Sequence, residues 1–231
     1  MSESPRLVEV RAKVLKQNDL LARSLRERFR SSGVYVASFV SSPGSGKTRF
    51  LEELLHLLGK LRVAALVGDL ATENDAERLK RATSQVKQIT TGTVCHLDAS
   101  MIEAALESWD LKELDLLLIE NVGNLVCPSS YDLGEDLRFV LLSTTEGEDK
   151  PLKYPTIFNT ADVALLTKMD MADAADFDRE TAHRNIQSVR PGMKVFEVSA
   201  KTGEGMDAIV TFLRTNLEEA QKRSTLPTGP A

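Results

Sequence analysis

The chain has 231 residues with a formal net charge of −5, and 42% of its residues are hydrophobic. That length suits one large α/β domain or two small ones at ~100–200 residues per domain, and an acidic chain without a basic stripe is not a dedicated nucleic-acid binder. Apolar runs fall short of the ~20 residues that span a bilayer, and residues 1–11 lack the apolar core of a signal peptide. We therefore expect a cytoplasmic protein with neither a membrane nor a nucleic-acid partner.

From the N-terminus, apolar residues recur with a helical period over Val8–Arg30 and predict an amphipathic helix packed on the domain. After it, short β-branched and aromatic runs alternate with helical patterns. The predicted strands are Val34–Val40, Arg62–Val67, Val86–Thr90, Leu114–Ile119, Leu137–Leu142, Val163–Leu166 and Lys194–Val198. The further predicted helices are Arg49–Leu58, Asn74–Ala82, Ala99–Trp109, Asp173–Val189 and Met206–Arg223. This alternation is typical of a three-layer α/β/α domain with a mostly parallel sheet, which binds ligands at the carboxyl ends of its strands.

The same pattern divides the chain into three parts. Residues 1–33 form the N-terminal helix, 34–223 the α/β domain, and 224–231 a flexible C-terminal tail. Segment Thr144–Pro155 is rich in turn residues, and no helix is predicted there.

A candidate phosphate loop, Ser41–Thr48 (SSPGSGKT), lies between a predicted strand and a predicted helix, as a Walker A loop requires. The glycines let backbone N–H groups converge on the phosphates, Lys47 supplies positive charge, and the Thr48 hydroxyl would ligate Mg²⁺. Ser41 stands where the strict pattern has its first glycine. The predicted phosphate-binding residues are Pro43, Gly44, Ser45, Gly46, Lys47, Thr48 and Arg49.

Two later segments predict guanine as the base. Thr167-Lys168-Met169-Asp170 follows an apolar strand and resembles the N/T-K-x-D motif of P-loop GTPases, in which Asp170 accepts from guanine N1–H and the exocyclic amine. Thr167 replaces the commoner Asn, so an amide that braces the phosphate loop is predicted to be lost. The second segment, Ser199-Ala200-Lys201, resembles the S-A-K loop whose backbone contacts the guanine carbonyl.

Acidic residues at strand ends are candidates for Mg²⁺ and for the attacking water. Glu120 and Gly123 form an E-x-x-G after a very apolar strand, with the carboxylate for Mg²⁺ and a backbone N–H for the γ-phosphate. Asp69 follows another strand and is assigned to metal or water, while Asp75 is a weaker candidate because it also suits the first turn of a helix. The predicted magnesium set is Thr48, Asp69 and Glu120, and the predicted catalytic set is Lys47, Asp69 and Asp75.

The chain has two cysteines and three histidines, and one histidine is adjacent to a cysteine. Cys95-His96 and Cys127 both follow the carboxyl ends of predicted strands, so they are able to meet near the nucleotide. Two thiolates and an imidazole suit Ni²⁺ or Zn²⁺, although three ligands do not complete a four-coordinate site. Ordinary buried packing is the alternative on spacing alone.

Taken together, these segments resemble the hydrogenase nickel-incorporation GTPase family, HypB, in a class of dimeric P-loop GTPases that includes the urease nickel chaperone. The segments that carry the resemblance are Ser41–Thr48, Gly68–Ala76 (GDLATENDA), Cys95–Ala99 (CHLDA), Ile119–Pro128 (IENVGNLVCP), Lys153-Tyr154-Pro155, and the T-K-M-D and S-A-K-T-G loops. The resemblance implies GTP hydrolysis coupled to nickel insertion into [NiFe]-hydrogenase precursors, with the hydrogenase large-subunit precursor or another nickel accessory protein as partner.

The resemblance further implies a homodimer that forms on GTP binding, and it places particular residues. Cys95, His96 and Cys127 match the metal-binding positions, and Lys153 lies on a segment that reaches the partner's nucleotide. Residues 1–34 carry neither a cysteine motif nor a histidine-rich stretch, so tight nickel storage is not expected. A urease-type nickel chaperone and a metal-sensing GTP-binding module with little turnover remain alternatives.

Overall fold

The computed structural model describes residues 5–70, 74–83 and 85–225. Its strands are β1 Tyr35–Ser41, β2 Val63–Asp69, β3 Val86–Thr90, β4 Leu116–Glu120, β5 Leu137–Ser143, β6 Val163–Thr167 and β7 Lys194–Glu197. Its α-helices are α1 Pro5–Ser32, α2 Lys47–Leu58, α3 Asn74–Leu79, α4 Ala99–Ala105, α5 Lys150–Lys153, α6 Pro155–Thr160, α7 Arg179–Val189 and α8 Met206–Thr225. Three short 3₁₀ turns, Leu111–Glu113, Cys127–Ser130 and Met169–Met171, complete the regular structure of these residues.

The strands form one sheet in the order β3-β2-β4-β1-β5-β6-β7, and every pairing is parallel. Strands β2, β3 and β4 lie on one side of β1, and β5, β6 and β7 lie on the other side. Because the strand order reverses around β1, the loop that follows it opens at the crevice where α/β proteins bind ligands.

Helices cover both faces of the sheet because the buried strands direct alternate apolar residues to opposite sides. On one face, Phe39 stacks against Phe139 with ring centroids 4.9 Å apart, and α2 and α8 complete this part of the core. On the other face, α1 and α4 cover one half of the sheet, and α6 and α7 cover the other. The predicted three-layer α/β/α architecture is therefore confirmed.

Helix α1 packs on the domain through a single apolar stripe. Ala22, Leu25 and Phe29 recur at helical spacing and are completely or almost completely buried, whereas Val10 and Val14 in the first half of the helix are exposed. No helix among residues 5–70, 74–83 and 85–225 is both long enough and apolar enough to cross a membrane.

The largest local errors of the sequence prediction concern helices. The turn-rich segment contains α5, and α6 follows it at once, because Pro151 and Pro155 occupy first-turn positions where proline favours a helix. Helix α7 begins at Arg179 rather than Asp173, because the Asp178 side chain caps it by accepting from the Thr181 N–H. Helix α8 continues to Thr225, and the remainder of the predicted tail, 226–231, lies outside the described residues.

Candidate nucleotide and metal site

The phosphate loop connects β1 to α2 by a sharp turn. Gly44 and Gly46 have φ of +73° and +91°, left-handed values that side chains disfavour, and they direct the loop backbone around the start of α2. Ser41 accepts hydrogen bonds from the Lys47 ammonium at 2.7 Å and from the Ser45 hydroxyl. The departure at Ser41 therefore has a structural role, because its hydroxyl holds the lysine within the loop.

Lys47 and Glu120 form the charged centre of this loop. Burial lowers the pKa of Lys47, and the negative charge of Glu120 opposes that shift. Burial also raises the pKa of Glu120 to about 7, with Lys47 acting in the opposite direction. Each group therefore favours the charged form of the other.

The contacts of Glu120 fit a hard cation. The Thr48 hydroxyl donates to Glu120 Oε1 at 2.7 Å, which places the two expected Mg²⁺ ligands side by side. Glu120 Oε2 is buried and has no hydrogen-bond partner among the described residues. A hydroxyl next to a carboxylate oxygen that lacks a partner is a donor set that suits Mg²⁺.

The E-x-x-G loop lies directly against the phosphate loop. A Cβ added at Gly123 would lie 2.9 Å from Pro43 Cα, closer than carbon atoms can approach. Glycine is therefore required here, because two backbone segments meet and leave no space for a side chain.

The other predicted acids surround Lys47 at longer range. Asp75 lies in the first turn of α3, and Asp69 ends β2 with its carboxylate accepting from the Leu70 N–H. Both carboxylates raise the pKa of Lys47, as does Glu146, which the sequence analysis did not identify. The sequence did offer a signal for Glu146, because this residue follows the carboxyl end of β5. Strand β5 is a neighbour of β1 in the sheet.

The two predicted guanine segments meet at the carboxyl ends of β6 and β7. The Ser199 hydroxyl donates to Asp170 at 2.7 Å and the Lys201 ammonium lies 3.5 Å from its other oxygen, and both contacts hold the pKa of Asp170 below its usual range. An ionised carboxylate in this position is the acceptor that guanine recognition requires. Ala200, between the two contacting residues, is half-buried against the α2 and α8 core.

The bond between the guanine segment and the phosphate loop corrects one expectation. The Thr167 hydroxyl donates to the Ser45 carbonyl at 2.8 Å, so threonine does brace the loop although it lacks the amide of asparagine. Lys168, with φ of +59°, extends across the loop and donates to the Gly44 carbonyl at 2.8 Å.

Two predicted nucleotide-binding cations lie at the margin of the site. Arg49, in the first turn of α2, is half-exposed and pairs with Glu52 at 3.0 Å. Lys153 at the end of α5 is 62% exposed, and its ammonium pairs with Asp149 on the preceding turn. Neither of these two contacts joins the cation to the phosphate loop.

The predicted metal ligands come together as a cluster. Cys95, His96 and Cys127 each offer one ligand atom, and these atoms lie within 4.8 Å of one another. The Cys95 thiol lies 2.9 Å from Cys127 Sγ, the buried His96 Nδ1 has no partner among the described residues, and all three residues are half-exposed. Burial lowers the pKa of His96 and so favours the neutral imidazole that binds metals. Two thiols and an imidazole fit Ni²⁺ or Zn²⁺.

Two asparagines that sequence reasoning missed connect this cluster to the nucleotide loop. Asn121, directly after Glu120, accepts from the Leu97 N–H at 3.0 Å, and Asn124 donates to the Cys95 carbonyl at 3.3 Å. The segment from Glu120 to Cys127 therefore begins beside the phosphate loop and ends in the metal cluster. The available signal was their position, because Asn121 lies within the E-x-x-G segment and Asn124 follows it directly.

Comparison with known proteins gives one family. Residues 35–197 match the nucleotide-binding domain described as CobW/HypB/UreG. The chain is 46% identical over 202 residues to the hydrogenase maturation factor HypB of Azotobacter chroococcum mcd 1, a match that covers 87% of this chain and 66% of the relative. It is 43% identical over 210 residues to the hydrogenase/urease maturation factor HypB of Helicobacter pylori, covering 89% of this chain and 86% of the relative.

A solved structure agrees with these sequence matches. The crystal structure of HypB from Helicobacter pylori in complex with nickel superposes with a TM-score of 0.84 at 42% identity, covering 88% of this chain and 96% of that one. The chain spans 66% of the length of the Azotobacter relative and 86% of the Helicobacter one.

Proposed function

This chain belongs to the CobW/HypB/UreG family as a protein of the HypB type, and on that premise we propose that it hydrolyses GTP and assists nickel insertion into a [NiFe]-hydrogenase precursor. The observation that carries the proposal is the segment Glu120–Cys127. It begins at the phosphate loop beside Thr48 and ends at Cys127 in the thiol and imidazole cluster. A change of nucleotide state that moves this segment must therefore also act on a metal ligand.

Hydrolysis depends on positioning and charge. The phosphate loop and Lys47 hold the β- and γ-phosphates, while Asp170 and the Ser199–Lys201 loop select guanine. Thr48 and Glu120 would hold Mg²⁺, with Asp69 next to them, and this ion supplies charge neutralisation on the phosphates when bound. Asp69 and Asp75 are the candidates to orient the attacking water, and Gly123 offers its N–H to the γ-phosphate.

Nickel is the cargo in this proposal. Cys95, His96 and Cys127 bind the ion through two sulfurs and one nitrogen, and Zn²⁺ competes for the same ligands. The remaining positions are filled by water, by a client protein, or by the same residues of a second copy across a two-fold axis. A half-exposed cluster supports this role because a delivered ion must leave through an accessible face.

GTP binding drives dimerisation in this proposal. The loops that carry Asp69 and Gly123 order around the γ-phosphate and favour the dimer, and hydrolysis releases it. Lys153 supports a dimer in which one copy contacts the nucleotide of the other, because this ammonium is exposed and pairs with the nearby Asp149, which precedes α5. The hydrogenase large-subunit precursor or another nickel accessory protein receives the metal, and residues 34–223 form the GTPase domain that carries these activities.

The test titrates the apo-protein with Ni²⁺ and with Zn²⁺ in the presence of GDP or a non-hydrolysable GTP analogue, and reads metal stoichiometry and molecular mass together. Stoichiometric metal binding and an analogue-dependent dimer are expected, and the Cys95→Ala/Cys127→Ala variant should lose the metal while it still binds nucleotide. Equal mass with both nucleotides contradicts the switch. Unchanged stoichiometry in the double variant contradicts the metal site, and an absence of Mg²⁺-dependent single-turnover hydrolysis favours a GTP-binding metal sensor.

Urease is a second candidate client. The Helicobacter pylori relative is named a hydrogenase/urease maturation factor, and the chain covers most of its length. The two clients are separated by mixing nickel-loaded protein and GTP with the purified apo-hydrogenase large subunit or with apo-urease. Nickel transfer to only one of them identifies the client.

A further inference from the structure

A third asparagine, Asn18 of helix α1, contacts the segments on both sides of the metal cluster. It is 8% exposed and lies one helical turn before Ala22, on the buried side of the helix. Its Oδ1 accepts from the Ala99 N–H at 2.9 Å, and its Nδ2 donates to the Asp132 carbonyl at 2.9 Å. Both bonds join backbone groups that are distant in sequence, 81 and 114 residues away.

The first of these bonds fixes the segment that carries Cys95 and His96. Ala99 is the first residue of α4, and the N–H groups in the first turn of a helix have no acceptor within the helix. Asp98 caps the Met101 N–H, which leaves the Ala99 N–H to be satisfied by Asn18. The start of α4, three residues after His96, is therefore held by the N-terminal helix.

The second bond fixes the segment that carries Cys127. Asp132 follows Tyr131, and the Tyr131 ring stacks on His96 with centroids 3.9 Å apart. The carbonyl that Asn18 holds therefore belongs to the residue next to the ring that stacks on the imidazole. One amide, that of Asn18, therefore contacts both the segment of His96 and the residue next to the ring that stacks on His96, and Arg26 of the same helix also pairs with the Asp132 carboxylate.

We infer that Asn18 is a positioning residue for the metal cluster, so that helix α1 participates in metal binding without supplying a ligand. Outer partners that orient metal ligands commonly contribute ~10–100-fold to metal affinity. This inference rests on the proposed nickel site at Cys95, His96 and Cys127. It adds that the affinity of the site depends on an amide of the N-terminal helix.

A purely structural role for Asn18 would be to dock α1, and the helix has other anchors that allow the two roles to be separated. Leu25 is 1% exposed in the apolar cluster beneath the same helix, and it stabilises the packing of α1 on the sheet through apolar contacts alone. Leu25→Val is therefore the matched control, because it loosens α1 without removing either Asn18 hydrogen bond. Asn18→Asp keeps the acceptor for the Ala99 N–H and loses the donor to Asp132.

The experiment measures Ni²⁺ affinity by competition with a chromophoric chelator for the wild type, Asn18→Ala, Asn18→Asp, Leu25→Val and Cys95→Ala/Cys127→Ala. The near-ultraviolet absorption from thiolate to nickel is recorded for each variant, together with its thermal midpoint. We expect Asn18→Ala to weaken Ni²⁺ binding by up to about 10-fold, the low end of the range for partners that contact a ligand directly, and to alter the absorption band. Asn18→Asp should also weaken binding relative to the wild type, because its second carboxylate oxygen repels the Asp132 carbonyl that Asn18 Nδ2 contacts. Leu25→Val should lower the thermal midpoint with unchanged affinity and spectrum.

The outcomes distinguish this inference from the proposed function. If the wild type binds no nickel, or the cysteine double variant binds as the wild type does, the proposed metal site is wrong. If the wild type binds through the cysteines but Asn18→Ala keeps the wild-type affinity and spectrum, the inference is overturned. Equal losses in Asn18→Ala and Leu25→Val overturn it as well, because general loosening of α1 would then explain both.

Discussion

The two ends of the Glu120–Cys127 segment are built differently. At the phosphate loop, Lys47 and Glu120 are almost completely buried and bonded to residues of the same loop or the adjacent strand end. At the metal cluster, Cys95, His96 and Cys127 are half-exposed, and asparagines from other elements hold their segments. The phosphate loop is therefore stabilised by its own contacts, whereas the metal cluster depends on other elements, and in the proposed function this lets it open locally to release an ion.

The largest effect should come from removing the positive charge of Lys47 at the phosphate loop. Lys47→Ala should reduce GTP hydrolysis by roughly 10²–10³-fold, because one preorganised group that meets developing charge contributes about that much. Phosphate release under single-turnover conditions measures this loss. Ni²⁺ stoichiometry in the presence of GDP is the control and should stay unchanged, and its loss would show that the two regions are not separable.

At the other end, His96→Ala should weaken Ni²⁺ binding by at least about 100-fold, since a lost ligand costs more than the ~10–100-fold expected for an outer partner. Competition titration with a chelator measures the affinity. GDP affinity should remain that of the wild type. A variant that lost nucleotide binding to the same extent would contradict the separation of the two regions.

Weakening the recognition of the base should have a smaller effect, limited to nucleotide binding. Asp170→Asn should weaken GDP binding by about 10–100-fold, because the amide has one acceptor oxygen and its NH₂ group faces the second guanine donor. Fluorescent GDP titration measures the change, with xanthosine diphosphate as the comparison ligand. Unchanged preference for GDP over xanthosine diphosphate would show that Asp170 does not contact the base.

The smallest effect should follow loss of the brace beneath the phosphate loop. Thr167→Val should weaken GDP binding by about 5-fold, since a neutral hydrogen bond contributes ~1 kcal/mol and the Ser45 carbonyl loses its donor. Thr167→Ser, which keeps the hydroxyl, is the matched control and should bind GDP nearly as the wild type does. Equal losses in both variants would assign the effect to packing of the threonine methyl group instead of the hydrogen bond.

Much of the fold and of the nucleotide region could be predicted because their signals are local. The run of apolar residues before Ser41 and the loop Ser41–Thr48 are contiguous, and β-branched strands alternating with helices indicate a parallel sheet. Helices α5 and α6 were missed because they are short and have a proline in the first turn, in or at the end of a turn-rich segment. Their apolar residues become informative only when Ile157 and Phe158 are seen buried in the core.

The sequence by itself determined the chemistry of this protein, because residue types and short spacings define which groups can hold phosphate, guanine and a soft metal. Tertiary structure alone decided how those groups are assembled. Cys95 and Cys127 are 32 residues apart, and they meet because their segments follow the carboxyl ends of β3 and β4, which have only β2 between them in the sheet. Asn18 reaches Ala99 and Asp132 only because α1 packs across that half of the sheet. Contacts over such separations depend on strand order and packing, which no local pattern encodes.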